Sequence, residues 1–212
     1  MAETTHARPA SPVLHSVAIG DLRPTQMTVG MREVDQKRKE WRGLGDKKSA
    51  GFLGRHMIPV VRGPKDRLYV VDHHHLARAL HDEGVEEVLT STLADLHTLE
   101  KDEFWTFLDN RGWMHPFDTD GIRQPRTRLP KTVADLEDDP YRSLAGELRF
   151  AGGYAKDTTP FSEFLWADAL RRRVDAKAVK NDPDTALEQA LAFAKSAAAG
   201  YLPGWCGPHK RS

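Results

Sequence analysis

Apolar positions fall into short separate runs, and the first half of the chain alternates two kinds. "HSVAIGDL" (15–22) is a short apolar run ending in a turn and reads as a first strand. "RPTQMTVG" (23–30) is a loop around Pro24. In "MREVDQKRKEWRGL" (31–44), Met31, Val34, Trp41 and Leu44 share one helical face, and the opposite face is dense in Lys and Arg. "GDKKSAGFLGRH" (45–56) reads as a loop or an irregular helix. "MIPVVRG" (57–63) and "RLYVVD" (67–72) are β-rich runs around the turn "PKD". "HHLARALHDEG" (74–84) is a helix closed by Gly84, and residues 86–96 hold one more strand. "EKDEFWTFLDNRG" (100–112) is a helix with Phe104, Trp105, Phe107 and Leu108 expected inward.

Beyond residue 112 the pattern changes. "WMHPFDTDGIRQPRTRLPKTV" has three prolines and little periodicity, so a long ordered loop or linker is expected. Three helical stretches follow: 139–152, 160–174 and 183–198. Asp139 and Thr159 precede prolines at plausible first helical positions. In the second stretch Phe164, Leu165, Ala169 and Leu170 are the expected burying face, with Trp166 also read as core. The last residues form a tail in which Tyr201, Leu202 and Trp205 are expected to pack back. The expected fold class is α/β (α+β), a small mixed sheet with helices and an α-helical C-terminal extension. The expected organisation is a flexible tail (1–14), an α/β unit (15–112), a loop and helical extension packed on it (113–198), and a tail (199–212). One or two helices alone hold too little core to stand as a separate domain.

Composition narrows the function classes. The 31 basic and 31 acidic residues balance, so global charge gives no reason to expect a nucleic-acid binder, although a local basic patch stays open. The single cysteine, Cys206, excludes an internal disulfide and a multi-cysteine zinc site. A cytoplasmic location is the expectation. No signal peptide or membrane-spanning run is visible.

The candidate chemistry centres on "VVDHHHLARAL" (70–80), where three consecutive histidines sit at a strand-to-helix turn. A helix N-terminus offers unpaired N–H groups and partial positive charge, which favour an anion. Asp72 can cap the helix or hold a divalent ion beside a phosphate. Successive helical residues point about 100° apart. At most one or two of His73, His74 and His75 therefore face one ligand. The bland alternative, a cap with polar surface histidines, carries about half the weight on residue type alone.

The same stretch resembles the helix-opening box of the ParB/sulfiredoxin superfamily. "IGDLRPTQMTVG" is similar to that superfamily's first strand and loop, and "IPVVRGPKDRLYVVD" to its hairpin. "LRPTQMTVG", "VVDHHH" and "AGGYAKDTTPFSEFLWADALR" together resemble the ParB-like nuclease family over residues 15 to about 174. The resemblance implies that Asp72, His73, His74, His75 and Arg78 line or support a phosphate site, with Pro24, Thr25 and Gln26 facing it. It further implies a nucleotide or other phosphate-bearing ligand, with nucleic acid as another candidate partner.

Three departures bear on that implication. His73 stands where relatives carry glycine, which argues against close backbone approach to phosphate. The sulfiredoxin cysteine has no counterpart in the box. The glutamate of the free-serine kinases is replaced by Gln26, which cannot act as a base. Glu33 is the nearby substitute. No match to the DNA-reading region of partitioning ParB proteins follows residue 112.

Further candidates come from composition and loops. "QKRKEWRGLGDKK" (36–48) offers a basic rim, represented by Lys37 and Lys48. "FAGGYAKDTTPF" (150–161) offers Tyr154 for base stacking and Lys156 for a phosphate; the alternative is a simple helix cap and turn. His115 and Asp118 lie in a candidate lid. The leading expectation is phosphoester hydrolysis of nucleic acid or nucleotide. Asp72 would position Mg²⁺, and His74 or His75 would stabilise developing charge. The alternatives are a small-molecule kinase and a nucleotide- or DNA-binding regulator without turnover. Oligomeric state is not legible.

Overall fold

The computed structural model describes residues 15–44 and 50–208. The fold is mixed α+β. A curled five-strand sheet runs in the order β1-β6-β4-β5-β2, and a two-strand sheet joins β3 to β7. The strands are β1 (His15–Ala18), β2 (Arg23–Pro24), β3 (Thr28–Val29), β4 (Ile58–Arg62), β5 (Leu68–Val70), β6 (Glu87–Asp95) and β7 (Glu137–Asp138). The helices are α1 (Met31–Gly43), α2 (Ala50–Arg55), α3 (His74–Asp82), α4 (Lys101–Asn110), α5 (Pro140–Phe150), α6 (Ser162–Arg171), α7 (Ala176–Asn181) and α8 (Pro183–Ala194). Lys48 and the 1–14 segment lie outside the described residues.

β-branched residues in β4 and β5 place Val60 against Val70 and Val61 against Tyr69 in an antiparallel hairpin. β6 runs parallel to β4 and antiparallel to β1, while β2 runs parallel to β5. One face of this sheet is covered by Leu76, Ala77 and Leu80 of α3, with Val34 and Trp41 of α1 in the same core. Val61, Tyr69, Phe104, Leu108 and Met114 form a second core. Phe104 and Leu108, four residues apart, occupy the buried stripe of α4. Phe107 points off that stripe and is 37 % exposed, a correction to the inward expectation.

The C-terminal helices form a third core around Leu144, Leu148, Trp166, Leu170 and Ala190. Phe164, Trp166, Ala169 and Leu170 are buried as expected, but Leu165 is 44 % exposed, because it falls in the arc of the helix outside the wide face formed by Ser162, Phe164, Trp166, Ala167, Ala169 and Leu170. Sequence periodicity did not reveal α7, a six-residue helix capped by Asp175. Trp205 packs back through a hydrogen bond to the Ala194 carbonyl, and Leu202 is buried; Tyr201 faces outward at 67 % exposure.

The extension docks on the α/β unit through backbone and charge. β7 pairs with β3, and Asp138 accepts a hydrogen bond from the Met31 N–H. Arg32 donates to Glu147 across the junction, and Arg142 donates to Glu33. Asp139 caps α5 by accepting from the Tyr141 and Arg142 N–H groups, and its other oxygen takes a hydrogen bond from Arg171 of α6. The long loop 113–133 is anchored by a bridge between His115 and Gln26 and by Arg123–Asp109 and Arg126–Asp102 ion pairs.

The tightest point of docking is Gly30. A Cβ there would lie 2.7 Å from the Ser143 backbone nitrogen and 2.9 Å from its Cα. Gly30→Ala is therefore expected to destabilise the protein by about 1–3 kcal/mol, the usual range for overpacking. Urea denaturation checks this. Adding Ser143→Gly should not restore stability, because the clash is with backbone; full rescue would locate the strain in the Ser143 side chain instead.

Candidate functional site

β5 ends at Val70, and the chain turns through Val71, Asp72 and His73 into α3. His73 adopts the left-handed region, φ 63° and ψ 26°. That conformation is uncommon for a non-glycine residue and carries a local cost. Three features hold it: Asp72 Oδ1 accepts from the His73 N–H at 2.6 Å, the His73 Nδ1 lies 3.0 Å from the Met57 carbonyl, and α3 follows at once. The turn thus has the backbone that glycine favours, although histidine occupies it. The His73 ring is drawn toward the Met57 carbonyl just before β4, and the residue lines the cleft.

The next two histidines face inward. The Thr25 N–H donates to His74 Nε2 at 3.2 Å, and the Gly30 N–H donates to His75 Nε2 at 3.0 Å. A nitrogen that accepts from an amide carries no proton, so each ring bears its hydrogen on Nδ1. His74 is also hydrogen-bonded to the Val70 backbone. Burial pushes the His74 ring down to about 3, with His73 and His115 adding unfavourable charge. Burial, then Arg142, His74 and Lys37, hold the His75 ring well below its ordinary value. Both are neutral rings that accept backbone amides. Both tie α3 to the loop 25–30 by accepting the Thr25 and Gly30 amides.

A cleft of about 720 Å³ opens over this turn. Its floor includes Gln26, Glu33, Asp72, His73, His74 and His75. Lys37, Arg142, Arg149 and Lys156 bring positive charge to its walls; Trp113, Phe161 and Phe164 add aromatic surface. Glu33 lies among Arg142 (3.1 Å), His75 (3.6 Å) and Lys37 (3.9 Å). The Gln26 amide donates to the Thr28 carbonyl at 2.7 Å.

The structure separates the remaining expected residues. Asp72, His73, Gln26, Lys37 and Lys156 line the cleft. Pro24 pairs within the sheet instead. Thr25 is fully buried, and its hydroxyl donates to the Val70 carbonyl. Arg78 points away, pairing with Asp82 and donating to the Leu136 carbonyl. Tyr154 is a core residue: its ring stacks on Trp166 at 4.3 Å and its hydroxyl donates to the Ala145 carbonyl. Base stacking by Tyr154 and phosphate contact by Arg78 or Thr25 are therefore corrected to structural roles, since their polar atoms are already engaged.

Sequence reading missed Arg142 and Arg149. A signal was present. They lie seven residues apart in a predicted helix, on one face flanked by Ala145 and Gly146. It also missed the wall built by residues 157–163, which include Phe161 at φ 57°.

Among the described residues, no group of three or more His, Cys, Asp or Glu side chains is placed to hold a metal ion. Asp72 brings one carboxylate, which accepts from the His73 N–H. That single ligand does not make a protein cage for a resident divalent ion, and no chemical step is routed through one. Also among the described residues, no helix is long and apolar enough to cross a membrane.

This curled mixed sheet, with a strand-to-helix box at one end of a cleft, is the class of fold that the ParB-like resemblance implies. The family model described as "Putative ParB-like nuclease" matches residues 15–172, and the chain belongs to that family. A crystal structure of protein Atu1540 from Agrobacterium tumefaciens is similar at 55 % identity, covering 92 % of this chain and 99 % of that one, with a TM-score of 0.86. No curated protein matches the chain.

The buried rings set a pH dependence. Unfolded histidines take up a proton near pH 6.5, whereas His74 and His115 in the folded protein resist until about pH 3, and His75 is likewise depressed. The unfolded state therefore binds more protons below pH 6.5, and stability must fall as pH falls through that window. The loss approaches about 1.4 kcal/mol per pH unit for each such histidine. Denaturation between pH 7.5 and 5 measures it. His115 is surrounded by Phe117, Phe161 and Phe164, so His115→Phe should keep the packing and reduce the slope by about a third, one ring of three. An unchanged slope would mean that His115 titrates normally in the folded protein.

Proposed function

We propose that the cleft binds a phosphate-bearing small molecule, with the phosphate on the first turn of α3. The observation that carries this reading is the open N-terminus of that helix. No side chain caps it, and its first backbone bond runs from the Ala77 N–H to the His73 carbonyl. The N–H groups of His74, His75 and Leu76 precede that bond, and these residues line the cleft. An anion there meets amide donors and the positive end of the helix dipole. Lys37, 3.9 Å from Glu33, adds a cation to the same cleft. The volume suits a ligand the size of a nucleotide.

Hydrolysis of a phosphoester, as the family's description suggests, is the finer reading. A proton acceptor beside the phosphate is what such chemistry requires. Glu33 has the right place on the cleft floor, whereas His74 and His75 have already spent Nε2 on backbone amides. That observation equally serves phosphoryl transfer to a hydroxyl. Both variants use the same bound phosphate, so ligand binding is the primary test.

Calorimetry or thermal shift with inorganic phosphate, ADP and ATP should show saturable stabilisation that grows with ligand concentration. Lys37→Ala should weaken binding about tenfold, the scale of one lost charge-assisted contact. No stabilisation at millimolar concentrations of any of the three compounds would overturn the reading. Where binding is found, product analysis with nucleoside triphosphate, DNA or added free serine separates hydrolysis from transfer. Glu33→Gln should then abolish turnover.

A further inference from the structure

We propose that Arg142 and Arg149 form a second anion subsite, so that the ligand is a small molecule with two separated anionic groups. This rests on the reading that a phosphate occupies the start of α3. Both arginines line the cleft. They stand seven residues apart on α5, about 10 Å along the helix axis at 1.5 Å per residue.

Their hydrogen bonding is incomplete. The Arg142 side chain is 9 % exposed, and its Nε is buried with no acceptor. Its one hydrogen bond runs from Nη1 to Glu33. The Arg149 Nε is also buried without an acceptor. Glu163 lies 3.4 Å from it, close enough for an ion pair but outside hydrogen-bond geometry. Arg32 and Arg171 likewise have a buried Nε without a hydrogen-bond acceptor, although the Arg32 Nε is ion-paired with Glu147 at 2.7 Å. They differ in that both terminal nitrogens of each donate: Arg171 makes three hydrogen bonds and Arg32 makes two. Both those residues stand outside the cleft. The under-used guanidinium groups are the two that face it.

The placement sets the ligand's shape. Arg142 is linked through Glu33 to His75, so it stands near the phosphate at the α3 turn. Arg149 lies two helical turns further along, and Lys156 lines the same cleft. Guanidinium groups donate paired hydrogen bonds to carboxylate or phosphate. The second group of the ligand is therefore a carboxylate or a second phosphate. The bounded volume, and balanced charge over the whole chain, favour a small molecule over a nucleic-acid strand.

The test compares inorganic phosphate with fructose 1,6-bisphosphate and tripolyphosphate as probes, by calorimetry on the full chain. The wild type should bind at least one two-ended probe tenfold or more tightly than phosphate. Arg149→Gln should reduce that preference to threefold or less, and Arg149→Lys should restore part of it. Circular dichroism confirms folding; Lys156→Gln, in the loop between α5 and α6, gives an independent variant expected to reduce the same preference. Equal affinity for phosphate and both two-ended probes overturns the second subsite and leaves the phosphate reading standing. No binding of any probe overturns both. A single-stranded oligonucleotide that binds more tightly than every small probe, and depends on Arg149, overturns the small-molecule class.

Discussion

Two backbone amides donating to two consecutive histidines hold the site together. The Thr25 and Gly30 N–H groups have no strand partner for those bonds; they end on His74 Nε2 and His75 Nε2. A buried amide left without an acceptor costs about 1–3 kcal/mol, so each ring contributes most by preventing that loss. The rings must stay neutral to accept. Burial keeps them so. The same two contacts fix the first turn of α3 against the loop that leads into α1. Everything above the turn depends on that register: the open amides, the place of Glu33, and the face that α1 offers to the extension.

Gly30 passes the constraint on to the second half of the chain. Its N–H is used by His75, and its missing Cβ leaves room for the Ser143 backbone of α5. The Ser143 hydroxyl then accepts from the Arg32 N–H at the start of α1. α5 is thereby brought close enough for Arg142 to reach Glu33. Asp139 orients this helix from its end, capping it while holding Arg171 of α6. Burial pushes the Asp139 carboxyl up even though Arg171 opposes that shift, so the cap sits deep in the junction. The cleft is a product of both halves. The α/β unit supplies the floor and Lys37, and the extension supplies two arginines, Lys156 and one wall.

How much of this was legible in the sequence depends on whether a feature is local. The hairpin β4–β5, the helix α3 and the box at residues 72–75 follow from alternation, a helical stripe and a strand-to-helix turn. The direction of each histidine does not, because it is decided by amides some 45 residues upstream. The same limit explains Tyr154. A glycine pair followed by an aromatic residue looks like an exposed loop, yet Trp166 arrives from α6 to stack on it. Phe107 and Leu165 show the converse: hydrophobic residues beside a buried stripe were read as part of it, though a single helical face leaves them outward. Arg142 and Arg149 were readable as a pair on one face of a helix, but only the fold shows which surface that face meets.

The distribution of charge follows from the neutral histidines. A cluster of three histidines suggests a cationic centre whose charge appears near neutral pH. Here two of the three accept amides; protonating either would break a hydrogen bond, and protonating His75 would also place a second positive charge close to Arg142. The permanent cations of the cleft are instead arginines and lysines. The two buried histidine rings keep their geometry by remaining uncharged. Glu33 lies between the two groups, against His75 on one side and Arg142 and Lys37 on the other. It neutralises part of the cationic wall before any ligand arrives. An anion entering at the α3 turn must therefore meet Glu33 as well as the open amides. On the proposed reading, a ligand would place its anionic groups on the amides and on Arg149 while presenting a proton donor to Glu33. The hydroxyl of a phosphorylated small molecule or an attacking water would satisfy that position; a bare anion would meet repulsion there.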